Sequence, residues 1–381
     1  MLRAAVVITT VTLAAGLVIA RQTGPAPAAA TSRASVIDGL RTELRADVAA
    51  DNVGGITAAV VVGDRIAWAE GFGWADRDKR VPAGIETIYR IGSISKSFTA
   101  IVMCQLVDQK VIALDDPVEQ YLPEVRGFAK PVAGAKPITF RQLASHTAGL
   151  IREPTLPGAA SGPIAEWEAK ILASIPTTSF DSMPGTKYAY SNIGYGVLGL
   201  ALSRAAKVPF MKLVEDGIFT PLGMTSSTYV IDDRLRPWLS VGYANMGSAI
   251  DADVPAREHL GRGYKVPNGG IYSTVVDLAR YIGALSGASK TVTSDTMRQT
   301  MQTKQTPEAG ASGYGFGLEV SVTPGATMVI GHGGSVAGYV GQIAFDPQSK
   351  VGVIVLRNYD RGRTRSDVAQ RTVRALAAAG Q

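Results

Sequence analysis

Cysteine and histidine are scarce in this chain: one Cys, Cys104, and three His, His146, His259 and His332, among 381 residues. A lone cysteine excludes an internal disulfide. A metal centre of His and Cys would need most of that inventory, so no metal is expected; no organic cofactor is expected either. Aromatic residues make up only 7%, and no basic run or basic stripe interleaved with aromatics occurs, which argues against nucleic acid as a partner. The charge excess is small, 38 Lys and Arg against 32 Asp and Glu, for a net +6. With 46% hydrophobic residues, the chain is neither a disordered polyelectrolyte nor a multi-pass membrane protein.

The long apolar run lies at the start. Arg3 precedes an apolar stretch from Ala4 to Ala20, followed by Arg21, a Pro/Ala segment and Ala28-Ala29-Ala30. That is the order of a secretory signal with a small-residue cleavage site, so residues 1–30 are set aside from the fold. The run approaches the roughly twenty residues of a spanning helix, which leaves an uncleaved anchor open. No Cys follows to carry a lipid. The protein is therefore expected to be exported, as a periplasmic, secreted or cell-envelope protein, with a membrane as partner only if residues 1–30 are retained.

Val36, Leu40, Leu44 and Val48 form one helical stripe. Ile56 to Val62 and Ile66 to Gly73 read as strands joined by the turn Gly63-Asp64-Arg65. Tyr314 to Val320, Thr327 to Gly331, Tyr339 to Phe345 and Val351 to Leu356 read as further strands, and Ser366 to Ala379 as a closing helix. Between them the periodic segments are helical: Ile94 to Val107, Thr139 to Ser145, Ile193 to Ala205, Phe210 to Phe219, Thr274 to Leu285 and Ser294 to Met301. The order predicts an α+β fold, an antiparallel sheet built from both chain ends and flanked by helices, with a large, mostly helical domain inserted. The expected division is 31–92 plus 311–381 for the sheet domain and 93–310 for the helical one, with the active site at the junction.

Three short motifs can carry chemistry. Ser93-Ile94-Ser95-Lys96 opens a helix that is apolar nearly all round from Ala100 to Cys104. Residues three apart share a helix face, so a desolvated Lys96 could take the proton of Ser93. The structural alternative is an N-cap serine with a solvated lysine one turn on. Tyr190-Ser191-Asn192 heads a Gly-rich helix. Its phenol can relay protons and its Asn192 amide can donate to a carbonyl, or it is a core tyrosine with an Asn cap. His332-Gly333-Gly334-Ser335 lies between two predicted strands, where glycines permit close approach and free amides, or form a hairpin turn with a surface histidine.

Together, and in this order, the three motifs resemble the signature of the serine β-lactamase and penicillin-recognising family. The resemblance is nearest to the class C β-lactamase branch with its D-alanyl-D-alanine carboxypeptidases, D-aminopeptidases and esterases. Supporting stretches are Ile91 to Phe98, Leu143 to Leu150, Pro221-Leu222-Gly223-Met224 and Gly269-Gly270-Ile271-Tyr272-Ser273. The resemblance implies a β-lactamase/transpeptidase-like fold and an exported serine hydrolase that works through an acyl-enzyme on an amide or ester. Ser93 would be the nucleophile, Lys96 its proton partner, and Tyr190 general base and acid for the leaving group. Asn192, His332, Gly333 and Gly334 would bind substrate, and the amides of Ser93 and Ser335 would form the oxyanion hole. Small-molecule or peptide substrates follow: a β-lactam, a D-alanyl peptide or an ester. His332 stands where the family generally has the lysine of Lys-Thr-Gly, which argues against efficient penicillin hydrolysis. His146 is expected to order the site wall, Arg152 to be solvated, and Cys104 to pack in the core. The rival from another class is a non-catalytic penicillin- or peptidoglycan-binding module of the same fold. A Ser-His-Asp hydrolase lacks its Gly-x-Ser-x-Gly elbow in this chain.

Overall fold

Both ends of the chain enter one sheet. The computed structural model describes residues 32–247, 249–290, 292–323, 325, 327–361 and 367–380; the predicted signal segment and the Ser366 start of the closing helix lie outside them. The strands are β1 (Gly55–Val62), β2 (Arg65–Asp76), β3 (Val81–Pro82), β4 (Gly313–Tyr314), β5 (Glu319–Ser321), β6 (Val329–Val336), β7 (Tyr339–Asp346) and β8 (Val351–Arg357). They pair antiparallel in the order β3-β2-β1-β8-β7-β6-β5-β4. β1 and β8 join the two chain ends at the centre, from Ile56 opposite Arg357 to Val62 opposite Val351.

Both faces of that centre are covered, which is why β1 and β8 read as continuous apolar runs rather than alternating ones. One face packs on α1 (Arg33–Asp51) and the closing helix α5 (Val368–Ala378), with Leu40, Leu44, Val373 and Leu376 against Ala58, Val60, Val353 and Val355. The other packs on α2 (Ser95–Asp108) and α4 (Val275–Ser286), through Ile94, Phe98, Leu278 and Ile282. α3 (Asn192–Ala206) lies behind α2, buried from Asn192 to Ser203. Ser32, Ser191, Thr274 and Ser294 cap helices by accepting a backbone N–H, and Thr139 closes a capping box with Gln142 over Phe140–Ala144. The cap of α3 is thus Ser191 and not Asn192.

Three elements differ from the periodicity. The single strand expected from Tyr314 to Val320 is two short ones, because the chain turns at Gly317 (φ +66°) against α2; a Cβ there would stand 2.6 Å from the carbonyl oxygen of Lys96. The strand expected to stop at Gly331 runs on to Val336 and carries His332 to Ser335, opposite Ile343 to Val340. Turn-type glycines hid it. The helix expected from Phe210 to Phe219 is α-helical only to Val214 and then widens into a π turn. There Gly217 meets Gln105, whose amide donates to the Gly217 carbonyl at 2.8 Å.

The centre of the sheet is tied to α1 by charge. Arg357, 1% exposed, reaches Asp47 at 2.7 Å and Asp51 at 2.5 Å, and Asp47 is itself only 3% exposed. Removing one member of a buried pair strands the other, at a cost of about 3 kcal/mol or more. Arg357→Met is therefore expected to lower the unfolding free energy by that amount, and the urea midpoint by that amount divided by the unchanged slope, and adding Asp47→Asn to recover part of it. A wild-type midpoint in Arg357→Met would contradict this account.

Candidate active site

The sheet meets the start of α2 through two glycines. A Cβ on Gly334 of β6 would stand 1.9 Å from the carbonyl oxygen of Ile91 and 3.3 Å from the amide nitrogen of Ser93. Gly92 has φ +53°, and its Cβ would stand 2.8 Å from the Ser335 amide nitrogen. Only side-chain-free residues permit this approach. It brings the Ser93 and Ser335 backbones together, with Ser93 in the 3₁₀ turn Gly92–Ile94 that feeds α2. No side chain caps either the turn or α2, so the Ser93 hydroxyl is not spent as a cap.

α2 is buried on all sides, and its polar residues find partners on neighbouring elements. Ser95 Oγ accepts the Ile271 N–H, Thr99 donates to the Pro267 carbonyl, and the Tyr281 hydroxyl donates to Ser97. Lys96, 0% exposed, has Nζ 3.0 Å from Ser93 Oγ, 2.8 Å from Asn192 Oδ1 and 3.1 Å from the Asn268 carbonyl. Burial, and then the nearby Arg152, hold this amine well below the ordinary lysine range, against the opposing pull of Glu153.

Tyr190 stacks over the same amine, its ring centre 4.7 Å from Lys96 Nζ. Burial pushes the phenol up to about 12, against the Ser93 hydroxyl and Arg152, which pull it down. His146, at φ +60°, holds the segment in place. Its Nδ1 accepts the Ser191 N–H at 3.0 Å and its ring lies 4.2 Å from that of Tyr190. Arg152 covers the other side, 4.8 Å from the Tyr190 ring centre, with its side chain 65% exposed.

His332, 4% exposed, is fixed as a neutral ring. Nδ1–H donates to the Gly333 carbonyl at 2.5 Å and Nε2 accepts the Tyr314 hydroxyl at 2.8 Å. Burial, and then Lys96, lower its pKa to about 3. No positive charge occupies the third-motif position at neutral pH. Cys104 sits in the core, its thiol pushed up by burial.

Ser93, Lys96, Tyr190, Asn192, His332 and the glycine pair therefore come together at one end of α2. Asn192, expected to hold substrate, spends its amide inside the protein. Oδ1 serves Lys96, Nδ2 donates to Glu153 at 2.6 Å, and the residue is 8% exposed. Glu153 also accepts from Tyr264 and pairs with Lys265 at 3.3 Å. Glu153 and Asn268 escaped the sequence reading. Glu153 follows the Leu143 to Leu150 stretch by three positions, and Asn268 immediately precedes the Gly269 to Ser273 stretch, so adjacency to those segments was their only signal.

The family model Beta-lactamase matches residues 40–378. Beta-lactamase-like protein 4 of Dictyostelium discoideum is 28% identical over 333 residues, covering 81% of this chain and 57% of its own, so the chain spans little more than half the length of that relative. The D-alanyl-D-alanine-carboxypeptidase/endopeptidase AmpH of Escherichia coli K12 is 28% identical over 288 residues, 71% of each chain. Among solved structures, the β-lactamase/D-alanine carboxypeptidase from Yersinia pestis, complexed with citrate, superposes with a TM-score of 0.70 at 24% identity. It covers 91% of this chain and 97% of that one, which establishes a shared β-lactamase/transpeptidase-like fold. With a family match over nearly all of residues 32–381 and the sheet and helices arranged as above, the chain belongs to the serine β-lactamase and penicillin-binding-protein-like family of hydrolases.

Proposed function

We propose that this chain is an exported serine hydrolase that transfers the acyl group of an ester or amide through Ser93 to water. The carrying observation is the buried Lys96 amine 3.0 Å from Ser93 Oγ, with its two other acceptors already in place. A neutral amine there donates N–H to Asn192 and Asn268 and turns its lone pair to the Ser93 hydroxyl. Lys96 takes the proton as Ser93 Oγ bonds to the carbonyl carbon. The phenol of Tyr190, protonated at neutral pH, gives its proton to the leaving group as the bond to carbon breaks, and recovers one from Lys96. Water then attacks the acyl-enzyme by the reverse relay, releasing the acid and Ser93. The Ser93 and Ser335 amides would stabilise the oxyanion. Lys96 thus acts as base and Tyr190 as acid, a division that the two opposed pKa shifts favour.

The neutral His332 offers no cation to a substrate carboxylate, which favours esters and small amides over penicillins. D-alanyl peptides remain a second reading, supported by the carboxypeptidase named among the relatives and by Arg152, a largely exposed cation beside Tyr190. Export rests on the order of residues 3–30.

Incubation of the mature protein with a fluorophosphonate is expected to add one adduct mass on Ser93, and none in Ser93→Ala, whose turnover of p-nitrophenyl butyrate should fall by about 10³-fold or more. Full turnover in Ser93→Ala would remove Ser93 as the nucleophile, and a wild type with neither adduct nor turnover would be a binding module of the same fold.

The competent state has Lys96 neutral, so kcat/KM rises with pH through the Lys96 pKa, which lies below the ordinary lysine value. His332, its pKa lowered to about 3, is not the group that titrates there. His332→Gln is therefore expected to change the height of the profile and leave the midpoint of its acid limb in place. A limb that moves with His332 would make the histidine the titrating base. Gly334→Ala, which forces Ile91 and Ser93 away from β6, should lower kcat by about 100-fold with the fold retained.

A further inference from the structure

A cavity of about 470 Å³ opens beside the Tyr190–His332 wall. Its lining includes the rings of Tyr188 and Tyr314, Thr306, and the carboxylates of Glu308 and Glu319. The rings tie it to the site: Tyr314 donates to His332, and both Tyr188 and Tyr314 pack on His146, which in turn packs on Tyr190. Glu308 is already used, accepting the Tyr188 N–H from an exposed position. Glu319 is not. It lies on β5 opposite Tyr314 of β4 and Gly331 of β6, half-buried, and among the described residues its carboxylate has no hydrogen bond and no cation. Burial alone raises its pKa, and its charge in turn raises the phenols of Tyr188, Tyr190 and Tyr314, so it acts within the field of the proposed proton donor.

A half-buried carboxylate without a partner is costly, and a cation brought to it removes the cost. Aromatic faces beside it add cation–π attraction for ammonium and quaternary ammonium groups. Among the described residues, no Lys or Arg side chain lines the cavity to compete. Through Tyr314 on His332, and through Tyr188 and Tyr314 on His146 and so on Tyr190, the cavity adjoins the Tyr190 and His332 part of the site. Tyr190 protonates the leaving group in the reaction proposed above, so this is the leaving-group side.

We propose that Glu319, with the rings of Tyr188 and Tyr314, forms a subsite for an ammonium-bearing leaving group, so that the enzyme prefers esters and amides whose departing alcohol, thiol or amine carries a positive charge. The proposal rests on the serine-hydrolase assignment and adds the class of substrate to it.

Two isosteric thioesters test it: butyrylthiocholine, with a trimethylammonium group, and S-(3,3-dimethylbutyl) thiobutyrate, with a tert-butyl group in its place. Thiol release gives kcat/KM for each, and only their ratio is read. The wild type is expected to prefer the cationic ester by about tenfold. Glu319→Gln is expected to bring the ratio within about twofold of unity, and Glu319→Asp, which keeps the charge, to retain part of the preference. A second readout needs no turnover: choline should slow fluorophosphonate labelling of wild-type Ser93 more than 3,3-dimethylbutanol does at equal concentration.

A wild-type ratio at or below unity, equal protection by choline and the neutral alcohol, or a ratio unmoved in a folded Glu319→Gln would each overturn the subsite. Absence of both hydrolysis and Ser93 labelling would instead overturn the hydrolase assignment, and the subsite with it. Failure of the two ideas is thereby told apart.

Discussion

The structure depends on one close backbone approach, that of the Gly92 turn to β6 at Gly334. Two residues without side chains let a helix start lie against a strand where any Cβ would strike a carbonyl oxygen at 1.9 Å or an amide nitrogen at 2.8 Å. Everything at the site takes its place from this contact. It sets Ser93 at the mouth of α2 and carries Lys96 one turn deeper, where it is 0% exposed and an ammonium would be desolvated. Because α2 then continues as a helix buried all round, its position is over-determined by packing on both the sheet and α3. The proposed nucleophile is held on a rigid element, as precise acyl transfer would require.

Burial of Lys96 is tolerable because its donors meet fixed acceptors. Asn192 is the centre of that arrangement: Oδ1 faces the lysine, Nδ2 faces Glu153, and its backbone carbonyl accepts from Asn268 at 3.0 Å. Glu153 in turn balances Lys265 and takes the Tyr264 hydroxyl. A chain of neutral and paired groups thus surrounds the amine, and the positive Arg152, itself 3.9 Å from Glu153, disfavours a second positive charge there. Desolvation and like charge act in the same direction, and both favour the neutral amine.

The fold class and the three motifs were legible because each has a local signature. Period-two and period-3.6 patterns mark the central strands and the helices, and Ser93-x-x-Lys96 carries its own spacing. The course of β6 was hidden, since His332-Gly333-Gly334-Ser335 looks like a turn, and glycines enter a strand there only because another backbone must pass. Gly317 broke a predicted strand for a similar non-local reason, its contact with α2. The partners of Asn192 were beyond reach as well. Nothing about an Arg-Glu-Pro segment announces that Glu153 will face an asparagine 39 positions on, because pairing across a fold is set by tertiary packing and not by propensity.

Charge is distributed unequally around Ser93, and that asymmetry narrows the substrate more than the shared motifs do. A lysine at the third motif would pull carboxylates toward β6; the neutral His332, locked between Tyr314 and its own neighbour's carbonyl, exerts no such pull. The cations near the site, Arg152 and Lys265, pair with Glu153, Arg152 also lying over the Tyr190 ring, while Glu319, without a partner among the described residues, lines the cavity with Tyr188 and Tyr314. A neutral ring at the third motif, with the Glu319 carboxylate on the adjacent strand, gives the cavity a negative group and no cation among the described residues that line it. Shape alone would admit many esters. The field is what separates a positively charged leaving group from a neutral or anionic one, because discrimination by charge in a half-buried cleft exceeds what a few apolar contacts supply.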